Sequence, residues 1–162
     1  MKDLNLTRLN TSSPYSFWRD GEIYYLKTDF DIVYAVSFDQ ETVRGYDTYW
    51  FNLANTSDKP SPNDKKLMLS IISVIEEFFN NNPDILLYIC DTANGQQAQR
   101  DRLFLRWFHG YKQQQKFCLQ TTTIMDEDEA NYLAMIVQKS NPHLNDILKM
   151  FNEETTMFKE NK

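Results

Sequence analysis

Apolar residues in the first half of the chain recur mainly at every second position, and from residue 64 the spacing becomes helical. In residues 32–38, Ile32, Tyr34, Val36 and Phe38 alternate with Val33, Ala35 and Ser37. That period of two predicts a strand with one strongly apolar face and one small face. Residues 15–18 and 22–28, on either side of Arg19-Asp20-Gly21, predict two earlier strands. Residues 43–54, with Tyr46, Tyr49, Trp50 and Phe51, continue the antiparallel meander, and residues 55–63, which hold two prolines, predict a loop.

Met68, Ile71, Ile72, Ile75, Phe78 and Phe79 recur at helical spacing, and Leu67, Leu69 and Val74 widen the stripe. A helix over 64–82 follows, capped by Asn63 or Asp64 and ended by Pro83. Its breadth predicts that it is covered on more than one side, while Glu76 and Glu77 are expected on its solvent face. Residues 85–90 form a short apolar run rich in β-formers. The polar turn Asp91-Thr92-Ala93-Asn94-Gly95 and a helical pattern from Gln96 come next, so the segment reads strand, loop, helix.

Residues 116–125 and 131–138 predict two strands joined by Asp126-Glu127-Asp128-Glu129. Four successive acids lack the spacing of a calcium loop and read as a solvated turn. Ser140-Asn141-Pro142 predicts the start of a last helix, with Leu144, Ile147, Leu148 and Phe151 on one stripe. The expected fold is α+β: a largely antiparallel sheet of six or seven strands packed against three helices, in one layered domain over 1–162 with tails at 1–14 and 155–162.

Composition narrows the function classes. A chain of 162 residues that is 41% hydrophobic and 14% aromatic can bury one sizeable core. A net charge of −6 opposes broad binding to nucleic acid or anionic membranes. No apolar stretch reaches the roughly 18 residues of a membrane span, so a soluble, cytoplasmic protein is expected. Cys90 and Cys118 lie in predicted strands, where a thiol acts as a small buried hydrophobe, and no cysteine–histidine spacing supports a metal. Neither a cofactor nor a metal is expected.

The helix predicted after Gln96 carries the candidate chemistry. Leu103, Phe104, Trp107, Phe108 and Tyr111 share one face, and Arg100 projects on that same face. An arginine there must snorkel or meet an anion, and Asp91 is the nearest carboxylate in sequence. The pair either fixes the loop or, with the loop amides, builds a site for a small anion from Asp91, Asn94, Gln97, Arg100 and Arg102. On the other side Arg102, Arg106 and His109 form a basic strip in an acidic chain, either a solvated face neutralised by acidic surfaces of the same molecule or a docking patch for an acidic protein, nucleic acid or a second copy of the chain.

The run Ile89-Cys90-Asp91-Thr92, the glycine turn, Gln96-x-x-x-Arg100 and Arg102-Leu103-Phe104-x-x-Trp107-Phe108 resembles an uncharacterised family of Bacteroidota, a domain of unknown function. Tyr15-Ser16-Phe17, the stretch 78–83 and Asn141-Pro142 fit the same resemblance. The family pattern often carries an acid where this chain has Asn94 and an arginine where it has Gln96. These departures remove one charge of each sign from the loop, and the resemblance implies no activity.

No catalytic constellation stands out. A cysteine in an apolar strand has a raised thiol pKa, which disfavours Cys90 with His109 or His143 as nucleophile and base. Pro83-Asp84 precedes a strand as in restriction-type nucleases, but no Glu-x-Lys follows to hold a metal. Two classes remain. One is a non-enzymatic interaction protein, an accessory, regulatory or defence-related component. The other is a domain or enzyme that takes a phosphorylated or carboxylated small molecule at 91–100.

Overall fold

The computed structural model describes residues 1–90, 115–126 and 129–160. The architecture is α+β, as the pattern predicts, with seven strands and three helices among the described residues. It divides into two compact units, Met1–Asp84 and Ile85–Lys162.

The first unit holds α1 (Leu6–Ser12), β1 (Phe17–Asp20), β2 (Ile23–Lys27), β3 (Val33–Val43), β4 (Tyr46–Asn55) and α2 (Lys65–Asn81). The four strands form an antiparallel meander in chain order. β3 runs past its predicted end at Phe38 to Val43, and β4 begins at Tyr46 rather than at 43, because Arg44 and Gly45, with φ of 50° and 86°, turn the chain in two residues. Two successive residues at positive φ match the right-handed twist of the strands they join, so the polar run 39–42 is carried on as strand.

α2 covers one face of this meander. Phe78 stacks on Phe38 at 5.3 Å between ring centroids and meets Tyr49 edge-on at 5.6 Å. Tyr24, Leu26, Tyr34, Val36 and Phe51 are buried on the same side of their strands. Asp64 starts the helix, its Oδ1 accepting from the amides of Lys66 and Leu67.

α1 occupies part of the segment expected as a tail. Asn5 caps it, and Leu4 and Leu9 are buried. It packs on α2 and β1 and changes the fate of Glu77, which is 3% exposed rather than on the solvent face. The guanidinium of Arg8, in α1, meets the Glu77 carboxylate, and this is the reason an acid can sit among apolar ridges.

The second unit holds β5 (Ile85–Cys90), β6 (Phe117–Asp126), β7 (Glu129–Gln138) and α3 (Leu144–Glu160). β7 lies between β5 and β6, antiparallel to both, and α3 packs on β6 and β7. The acidic run is shorter as a turn than its sequence suggests, because Asp126 pairs with Glu129 as the last rung of the hairpin. Cys118 is a free thiol.

Candidate functional site

The face of the β1–β4 meander opposite α2 is where the first unit presents aromatic surface. The register lines up Trp18, Tyr25, Ala35 and Ala54 across the four strands. Trp18 stacks on Tyr25 at 5.7 Å with 19° between the planes, yet stays 45% exposed. The two alanines beside them leave the flank of the stack open. An aromatic pair fixed on neighbouring strands loses little side-chain freedom when something docks on it, and so offers contact area at low entropic cost.

Polar groups border the row on the same face. Asn52 Nδ2 donates to Asp39 Oδ2 at 2.7 Å, and the Trp50 indole N–H donates to Glu41 Oε2 at 2.6 Å. Asp20, Asp39 and Glu41 give this border an acidic balance against Lys27. Phe30, 50% exposed, stands in the turn that joins β2 and β3 beyond the Lys27–Val33 rung. That turn is held from inside by buried Thr28, whose Oγ1 accepts from the amides of Phe30 and Ile32, with Asp31 at φ 59°.

Other polar clusters of this unit are spent on the fold. The Tyr15 hydroxyl donates to Asp64 Oδ2 at 2.8 Å and accepts from the Asp29 amide at 3.2 Å. Burial, followed by the carboxylate of Asp64, pushes the Tyr15 pKa up to about 12 despite the opposing Asp29 amide. Lys66 Nζ donates to Asp29 Oδ2 at 2.8 Å, and Ser70 Oγ accepts from the Tyr15 amide. This network ties residues 15, 29, 64 and 70 together.

Asp84 is the one carboxylate here with acid–base interest. Burial first and the charge of Asp47 second hold its pKa above the usual aspartate range, and buried Tyr49 is raised by burial and then by Asp84. Among the described residues, no group of three or more Asp, Glu, His or Cys side chains gathers to hold a metal ion. No described helix is long and apolar enough to cross a membrane.

The residues singled out by sequence, Asp91, Asn94, Gln97, Arg100, Arg102, Arg106 and His109, lie outside the described residues. The Trp18–Tyr25 platform escaped the sequence reading. Its one available signal was a tryptophan alternating with buried Phe17 in a strand, which marks the open face only once the register to Tyr25 is known.

Residues 63–153, more than half of the chain, match the profile of a family of unknown function, DUF6169. The chain belongs to this family. The DUF6169 match runs from the start of α2 into α3 and includes the stretch 89–108 that carries the sequence resemblance. It begins after Tyr15-Ser16-Phe17 and after the whole β1–β4 meander, so the aromatic platform is N-terminal to the DUF6169 match. No curated protein matches the chain.

Proposed function

We propose that this DUF6169 protein is a non-enzymatic binding protein that docks a partner protein on the open face of β1–β4. The observation that carries this reading is Trp18, held in a stack with Tyr25 and still 45% exposed. Leaving an indole in water on an ordered strand forgoes burial that would stabilise the fold, and tryptophan and tyrosine supply much of the binding energy at protein interfaces. The acidic border favours a partner segment with basic side chains around an apolar anchor. An accessory or regulatory role in the cytoplasm goes with this reading, and the acidic net charge supports a soluble protein that avoids nucleic acid.

The test is affinity capture from the producing cell with wild type, Trp18→Ala/Tyr25→Ala and Lys59→Ala as a surface control. The reading expects a discrete partner retained by wild type and control, and retention at least about 10-fold weaker with the double variant. Equal retention by all three would refute it. Thermal stabilisation by a nucleotide, sugar phosphate or carboxylate would instead favour a ligand site in the stretch 91–100.

A further inference from the structure

The row Trp18, Tyr25, Ala35, Ala54 crosses the four strands of the meander instead of following one. At about 4.8 Å from strand to strand it is about 14 Å long. Its two aromatic side chains also carry polar groups that the fold does not use. Trp50 donates its indole N–H to Glu41, and the hydroxyls of Tyr15, Tyr24 and Tyr34 all have partners. Among the described residues, by contrast, neither the Trp18 indole N–H nor the Tyr25 hydroxyl is hydrogen-bonded to the protein. The row therefore offers ring surface together with two hydrogen-bond donors.

That combination discriminates between occupants. An added strand needs free backbone groups, which this face lacks because β2 and β3 are each paired on both sides. The nearby β1 has only four residues, and the Asn10 side chain closes it by accepting from the Phe17 amide at 2.8 Å and donating to the Phe17 carbonyl at 3.0 Å. A docked helix satisfies its own N–H and C=O groups, so its apolar stripe would cover both donors without bringing an acceptor. A polyproline II segment has the opposite character. Its prolines have no N–H to satisfy, its carbonyls are free to accept, and its conformation is set before it binds. At about 3.1 Å per residue, about five residues span the row.

Charge decides what flanks the segment. Asp20 follows Trp18 by two residues, so it stands on the same face about 7 Å along β1. It is exposed and has no ion pair among the described residues. Resting on the docking reading above, we infer that the partner contributes a proline-rich segment of about five residues that crosses the strands over Trp18 and Tyr25. Its carbonyls accept from the indole N–H and the phenol. An arginine or lysine beside the prolines, at the Trp18 end, sets its charge against Asp20.

Selection from a phage-displayed library of short random peptides, with the immobilised full chain as bait, tests this. Peptides with closely spaced prolines and an adjacent arginine or lysine should be enriched. The strongest of them, fluorescently labelled, is then titrated with the full chain by polarisation. Trp18→Phe and Tyr25→Phe keep a ring and remove one donor each, and each should weaken binding about 5-fold. Asp20→Lys should weaken it at least about 10-fold, with most of that difference lost at high salt. Trp18→Ala/Tyr25→Ala should abolish it. Should the double variant fail to fold, the two phenylalanine variants and Asp20→Lys decide alone. Enriched peptides that lack proline but still lose affinity with the double variant would overturn the proline-rich occupant and leave the docking face standing. Peptides that bind the double variant as tightly as wild type would count against the face itself, and a library with no enriched sequence would also overturn the inference.

Discussion

Arg8 grips Glu77 with two hydrogen bonds, Nε to Oε2 at 2.7 Å and Nη2 to Oε1 at 2.6 Å, joining α1 to α2. Nη2 also donates to Asn81 Oδ1, and the Asn5 amide donates to Glu77 Oε1, so the carboxylate has partners along both oxygens. Burial raises the Glu77 pKa, but the hydrogen bonds from Arg8 and Asn5 outweigh it, and the net shift is downward.

Glu77→Ala should therefore destabilise the protein by about 2 kcal/mol, a figure tempered by the half-exposed guanidinium, which regains water when the acid is gone. With the folded pKa depressed, the contribution is present above the unfolded value and lost as pH falls through the folded one. Urea titrations of wild type and Glu77→Gln at neutral and acid pH should show a stability gap that narrows in acid.

Tyr15 titrates in the opposite sense at the alkaline end. Its folded pKa of about 12 lies above the ordinary value of 10.0, so its contribution is complete below pH 10 and falls away between pH 10 and 12. Removal of the hydroxyl in Tyr15→Phe should flatten that alkaline loss while costing about 1–2 kcal/mol at neutral pH, because Asp64 and the Asp29 amide lose a partner. Denaturant unfolding across pH 8 to 12 reads both effects.

Asp84 is destabilising where it is charged. Its pKa is raised by burial and by Asp47, so the folded state favours the protonated acid, and stability should rise as pH falls through the raised value. Asp84→Asn should raise Tm at neutral pH, by the equivalent of less than about 1 kcal/mol given its partial exposure, and leave acid stability unchanged. A fall in Tm at neutral pH would contradict this assignment.

Much of the fold was legible in the sequence because periodicity reports burial directly. The alternation over 32–38 marks β3, and the broad stripe from Leu67 to Phe79 marks a helix that is buried along most of its length. Legibility failed where a tertiary partner decides. Arg44-Gly45 is not a common hairpin pair, and the polar run 39–42 reads as loop until its rungs to residues 47–50 are seen. Glu77 reads as a solvent residue because Arg8, 69 positions away, cannot be assigned to it from spacing. The aromatic platform had the same obstacle: Trp18 and Tyr25 become a surface only through their rung.

Photo-crosslinking tests the proposed docking face most directly. A benzophenone amino acid at position 18, in place of the exposed Trp18, should yield a discrete adduct with one protein in the producing cell, and Tyr25→Ala in the same chain should weaken it. The same group at Lys59, in the loop after β4, should yield no such band. Absence of an adduct from position 18 in a folded, abundant protein, or an identical adduct from both positions, would contradict a partner-binding role for this face.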